Sequence, residues 1–238
     1  RMHAKTGIAN RRLKPTLGYL DPENTRTVPA QVAASTGLDI LSHAVESFTA
    51  GPVTNRPHPG RPALRPAYQG SNPISDIWAL EAMRIVSNYL VRAVDDPSDD
   101  EARANMLLAA SYAGLGFGNA GVHLPHGMSY AVSGNVKSYR PSGYTTPHPL
   151  VPHGMSVVLN APSVFRFTAC ANPDRHLRAA QALGADVSHA RAEDAGRVLA
   201  DRITWFMQRL QMPNGLKGIG YSTSDIPELV EGTLPQHR

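Results

Sequence analysis

The apolar positions of this chain fall mostly at helical spacing. Pro29 suits the first turn of a helix. Residues 30–35 then lead on to a second helical segment, GLDILSHAVESFTA, in which Leu38, Ile40, Leu41, Ala44, Val45 and Phe48 recur with a helical period. Residues 75–94 carry the same signal through Ile77, Leu80, Met83, Ile85, Val86, Tyr89 and Leu90. A helix is predicted over 99–115, with Ser98 as N-cap and Glu101 in the reciprocal capping position. Further helices are expected near His126, from His153 towards residue 169, over 174–183, over 192–210, and over 224–231 with Ser224 as N-cap. Trp78 and Trp205 share the spacing of apolar neighbours and read as core.

Between these segments the pattern breaks. Residues 1–28 have little helical period; residues 16–20 read as a short strand followed by an Asp-Pro turn. Residues 51–70 hold too many prolines for a packed element and read as an irregular loop. GLGFGNAGVH reads as a glycine-rich packing passage into the helix near His126. It neither follows a strand nor matches the GxGxxG spacing of a phosphate cradle. Residues 134–152 read as an inserted loop. No internal repeat is visible, and the fold class predicted is mainly α with a strand-containing leader.

Composition narrows the class. The chain has 238 residues, 42% of them hydrophobic, and its mean hydropathy is −0.26, as for a globular domain with a real core. No apolar run approaches the ~18 residues of a membrane-spanning helix, so no membrane partner is expected. The charged N-terminal residues do not form a signal peptide. Because the chain begins at Arg1 rather than Met, it is read as part of a longer protein. A single cysteine, Cys170, excludes an internal disulfide framework and suits a reducing compartment. The net charge of +4 is scattered, without a basic block or aromatic-interleaved stripe, so nucleic acid is not an expected partner.

The ten histidines change the picture more. Asp39 and His43 are four residues apart, so both project from one face of an otherwise apolar helix. His126 in LPHGMSYAV and His153 in LVPHGMSVVL are each followed by Gly-Met-Ser. One carboxylate and three imidazoles make a candidate ligand set for a divalent transition metal, with a position left for a substrate oxygen. The Asp39–His43 pair would serve equally as a satisfied helix–helix hydrogen bond, and His123 and His148 lie near enough in sequence to compete. His3, His58, His176, His189 and His237 read as exposed and without chemistry.

GLDILSHAVE, LPHGMSYAVSG and LVPHGMSVVL together resemble the iron-containing alcohol dehydrogenase family, which shares its fold with dehydroquinate synthase. KTGIANRRLKPTLGYLDPENT, RPAYQGSNPISDIWALEAMRIV and FGNAGVHLPHGMSYAVSG narrow the resemblance to the hydroxyacid-oxoacid transhydrogenase branch, over nearly the whole chain. The resemblance implies a dehydroquinate synthase-like helical metal-binding domain and places the metal ligands on Asp39, His43, His126 and His153. It also implies that Lys14 lies near a bound NAD(H), held mainly by an N-terminal domain not contained in this chain. No GGGS-type nucleotide turn occurs here. Residues 1–28 are therefore read as the end of a truncated α/β dinucleotide-binding domain, and 29–238 as the helical metal-binding catalytic domain. Where many relatives carry a further histidine after the third ligand, this chain has Ser129 and Tyr130, so no proton-handling residue is carried over.

The activity implied is hydride transfer through bound NAD between a 4-hydroxybutyrate-like hydroxy acid and 2-oxoglutarate, assisted by Fe2+ or Zn2+. Lys137 and Arg140, in the long loop between the last two ligands, are candidates for binding a substrate carboxylate. The alternatives are an NAD-dependent alcohol dehydrogenase acting on uncharged alcohols, and a metal-binding fragment without activity. The compartment implied is the cytoplasm for a bacterial source and the mitochondrial matrix for a eukaryotic one. A homo-oligomer stays open.

Overall fold

The computed structural model describes Gly7 and residues 10–236. Among them are nine α-helices: α1 (Ala30–Thr49), α2 (Pro73–Asp95), α3 (Asp100–Ala120), α4 (Leu124–Gly134), α5 (His153–Val158), α6 (Ala161–Thr168), α7 (Pro173–Ala182), α8 (Ala195–Arg209) and α9 (Ile226–Thr233). No strand occurs among the described residues, and an isolated bridge between Pro52 and Ser71 is the sole β pairing there. The predicted strand at 16–20 is extended chain without a ladder. Leu17, Tyr19 and Leu20 stand in solvent, Tyr19 at 90% exposure, and no neighbouring edge supplies hydrogen bonds.

Helix α1 is the centre of the packing. Leu38, Leu41, Val45 and Phe48 are fully buried along it, and it packs against α2, α3, α5 and α7. The sequence suggested two helices here, but the period runs unbroken from Ala30 to Thr49. Helix α2 follows its predicted span, opened by Pro73 and by Asn72, whose side chain accepts from the Ser75 N–H at 3.0 Å. Ile77, expected on its buried face, is exposed.

Helix α3 differs at both ends. Its N-cap is Asp99, which accepts from the Ala102 N–H, while Ser98 binds the Asp96 carboxylate in the preceding turn. Its far end runs through the supposed glycine-rich passage to Ala120 and stops at Gly121, whose φ of 96° turns the chain into α4. Leu159 and Asn160 split the helix predicted from His153 into α5 and α6. Helix α9 begins at Ile226 after a 3-10 turn, and Ser222, not Ser224, is bound by the Asp225 carboxylate at its start.

Buried Arg103 ties the leader to the helices, donating to the carbonyls of Pro97, Thr25 and Val28. Trp205, expected in the core, is 43% exposed and covered by the Arg202 guanidinium. His176, expected at the surface, is buried. Its Nδ1–H donates to the Asn172 carbonyl at 2.8 Å, and its Nε2 accepts from Thr168 at 2.9 Å. With both ring nitrogens satisfied, the imidazole can sit in the core. His58 and His189 are exposed, while His3 and His237 lie outside the described residues. No helix among the described residues is long and apolar enough to cross a membrane.

Candidate metal centre

The stacking of Asp39 and His43 on α1 survives folding. His43 Nδ1 lies 2.9 Å from the Asp39 backbone carbonyl and 3.6 Å from the Asp39 carboxylate. Donation to that carbonyl commits Nδ1–H to the helix and leaves Nε2 as the outward-facing nitrogen. Phe117 of α3 stacks on the same ring, centroid to centroid at 4.2 Å, which fixes its plane. His126 comes from α4. Its ring centroid is 4.2 Å from that of His43, and its Nε2 is 3.4 Å from Asp39 Oδ1.

Candidate ligand atoms of Asp39, His43 and His126 all lie within 4.8 Å of one another. His153, at the start of α5, brings its ring centroid to 5.4 Å from that of His126 and also faces Tyr130 at 6.1 Å. Thus Asp39, His43 and His126 share one locus, and His153 stands beside it, outside the set of ligand atoms that lie within 4.8 Å of one another. Helix α5 reaches this position because residue 154 is glycine. A Cβ there would collide with the Ser35 carbonyl and lie 2.9 Å from Asp39 Cβ. The Met155 N–H then donates to Ser35 Oγ at 3.2 Å, pinning α5 on α1.

Electrostatics mark the locus. Burial opposes the charged form of Asp39, but His126 Nε2 at 3.4 Å and the neighbouring rings of His43 and His153 pull its carboxyl down to about 2. Burial drives His43 down to about 4 against the pull of Asp39, so this ring is neutral near pH 7. Burial also works against a charge on His126, but Glu46 and Asp39 prevail and raise it to about 9. Among the described residues, Asp39 Oδ1 and His126 Nε2 are buried without an aligned hydrogen-bond partner. An anionic oxygen and an imidazole nitrogen that face each other without an aligned hydrogen bond are suited to a cation placed between them, which would displace the proton from His126 Nε2. The donor set therefore fits a divalent transition metal.

Sequence reasoning missed Glu46. This carboxylate is fully buried, with Oε1 2.7 Å from His126 Nδ1 and Oε2 2.6 Å from the His123 backbone nitrogen. Its signal was available: Glu46 follows Asp39 by seven residues and His43 by three, on the same helical face. Phe117 was missed because its glycine-rich surroundings read as loop. His123 turns away from the locus, its Nε2 meeting Thr49 Oγ1 at 2.9 Å and its ring edge facing Phe165. His148 is exposed on the long loop. Lys14 Nζ donates to Asn119 at 2.8 Å, two residues beyond Phe117. Lys137 pairs with Asp225 at 2.7 Å, and Arg140 donates to the carbonyls of Thr146 and Pro147, closing the loop on itself.

The model of the Fe-containing alcohol dehydrogenase family, C-terminal, matches residues 67–238. A curated relative from Xenopus tropicalis, "Hydroxyacid-oxoacid transhydrogenase, mitochondrial", is 57% identical over 238 residues, covering 100% of this chain and 51% of the relative. The chain thus spans about half the length of the curated relatives it matches. A solved archaeal halo-thermophilic alcohol dehydrogenase from a Red Sea brine pool is similar in structure, with a TM-score of 0.79 and 25% identity, over 98% of this chain and 51% of that one. Sulfoacetaldehyde reductase from Bifidobacterium kashiwanohense, solved in complex with NAD+, gives a TM-score of 0.67 at 28% identity, over 90% of this chain and 46% of that one.

Proposed function

Because the chain belongs to the iron-containing alcohol dehydrogenase family, we propose that it is the metal-holding part of a hydroxyacid-oxoacid transhydrogenase. The reaction is hydride exchange, through NAD, between a 4-hydroxybutyrate-like hydroxy acid and 2-oxoglutarate. One observation carries the metal reading: Asp39 Oδ1 and His126 Nε2 are buried, facing and unpartnered, beside His43. Identity of 57% with a transhydrogenase of that name supports the choice of reaction.

Asp39, His43, His126 and His153 would hold an Fe2+ or Zn2+ ion. Such an ion, when bound, polarises the oxygen of the hydroxy or keto acid and lowers the hydroxyl pKa. The chain's own part is placement. Helix α1 fixes two of the four side chains, both half-buried, at the edge of its packed core, and Phe117 shields the His43 ring. We further propose that residues 1–28 end a dinucleotide-binding domain and 29–238 form the catalytic one. Lys14, anchored beside Phe117 through Asn119, would then border the nicotinamide cofactor. Lys and Arg carry three and five N–H donors. Lys137 and Arg140 therefore keep donors for a substrate carboxylate beyond those given to Asp225, Thr146 and Pro147. The compartment is the mitochondrial matrix for a eukaryotic source and the cytoplasm for a bacterial one.

The test uses the full-length protein with 4-hydroxybutyrate and 2-oxoglutarate, following 2-hydroxyglutarate together with NADH absorbance. Turnover should require the keto acid and leave no free NADH. Release of NADH without a keto-acid requirement would make the protein an alcohol dehydrogenase instead.

A further inference from the structure

Glu46 is a fully buried carboxylate that the proposed reaction does not use. It is not itself placed as a ligand, because each oxygen is already engaged. Oε1 takes the His126 Nδ1–H at 2.7 Å, and Oε2 takes the His123 backbone N–H at 2.6 Å. These two donors sit at the entry of one helix. His123 is the residue preceding α4 and makes no side-chain cap of its own. The carboxylate of one helix thus caps the next and, with its other oxygen, grips a ring one turn inside it. Negative charge is favoured at that helix end.

The geometry points to Glu46 as the positioning residue of the metal centre: it locks His126 in the tautomer that presents Nε2 to Asp39 and docks α4 through the same carboxylate. This inference rests on the reading of Asp39, His43, His126 and His153 as the metal ligands. Its chemical content is that Glu46 must accept twice. A backbone N–H can only donate, so one oxygen is permanently assigned to His123. The other must then accept from His126 Nδ1, which leaves the Nε2 lone pair for the cation.

Glutamine has the size of glutamate but only one accepting atom. In Glu46→Gln, either the side-chain NH2 opposes the His123 N–H, or it donates to His126 Nδ1. The second arrangement drives the ring proton to Nε2, where it blocks the cation. A role in filling space would be kept by glutamine; a role in accepting two protons would not.

The experiment loads the full-length protein with Zn2+ and measures affinity by chelator competition for wild type, Glu46→Gln and Glu46→Leu. Outer hydrogen-bond partners of metal ligands are typically worth about 10–100-fold in affinity. Both variants should lose affinity on that scale, the isosteric glutamine included. Nitrogen-15 NMR of the Zn2+-loaded wild type should show His126 bound through Nε2 with an exchange-protected Nδ1–H, a signature available even if a variant does not fold. Wild-type affinity in Glu46→Gln, or zinc on Nδ1 of His126, would overturn the inference while leaving the metal centre standing. Failure of the wild type to take up one Zn2+ would overturn the reading of the centre itself.

Discussion

At the level of single residues, Gly154 shows what the sequence could and could not announce. A glycine after each histidine signalled close approach, and at 154 the approach is of α5 backbone to the Ser35 carbonyl. Gly154→Ala should therefore overpack the α1–α5 contact, costing about 1–3 kcal/mol. A denaturant titration should read this as a lower midpoint with unchanged slope, and an unchanged midpoint would mean that α5 is not pinned there. The candidate pair Asp39 and His43 was legible because an acid and an imidazole four apart on an apolar helix are conspicuous. Glu46 shares their helical face, but its role could not be read there, because it depends on a backbone N–H at position 123, a pairing only the fold creates. His176 misled for a related reason. Its burial is made possible by Thr168 and the Asn172 carbonyl, and nothing in the local pattern advertises that they converge. Lys137 and Arg140 carry a sharper test. If either binds a substrate carboxylate, its alanine variant should use 2-oxoglutarate roughly ten- to a hundred-fold less well, as for loss of a charge-assisted hydrogen bond. An uncharged aldehyde should be spared. Equal effects on both substrates would assign these cations to the loop alone.

At the level of elements, the period of apolar positions located the helices, and their ends escaped it. Helix α3 continued through Gly114, Gly116 and Gly118 because its neighbours on α1 and α2 use the missing side chain at only one of the three. A Cβ at 116 would meet Ser47 Oγ at 3.2 Å and the Ser75 carbonyl at 3.3 Å, whereas at 114 and 118 nothing lies within 4 Å. Gly114→Ala should accordingly stabilise the chain by about 0.5–1 kcal/mol, since alanine is the better helix former. Gly116→Ala should give no such gain. Thermal melts of the two variants distinguish them, and equal behaviour would contradict the close packing at 116. The far end of α1 is held by Arg175, whose guanidinium binds the Phe48 carbonyl and Asp76 and lies 4.0 Å over the Phe48 ring. Hydrogen bonds to a charged group are worth about 1.5–3 kcal/mol, and Arg175→Ala should lose that much in an unfolding titration.

At the level of the whole molecule, one core runs from α1 through α8, and the candidate centre sits where α1, α4 and α5 meet. The leader is different. Leu13, Leu17, Tyr19 and Leu20 are exposed beside Lys14, and the sequence-based strand there found no partner. Periodicity could predict an extended segment but not whether a neighbouring edge pairs with it, and among the described residues none does. If the cofactor is gripped mainly by a preceding domain, residues 1–238 alone should show weak or no NAD binding by calorimetry, and micromolar affinity would mean that this chain holds a nucleotide site of its own. The claim on which the account turns is that four side chains from three helices hold one ion. An anomalous difference map, collected at the absorption edge of the metal in crystals of the loaded full-length protein, tests it directly. The map should show a single peak bounded by Asp39 Oδ1, His126 Nε2, His43 and His153, with metal–ligand distances of about 2.0–2.2 Å. A loaded protein whose peak lies elsewhere, or whose peak excludes Asp39 or His126, would contradict it.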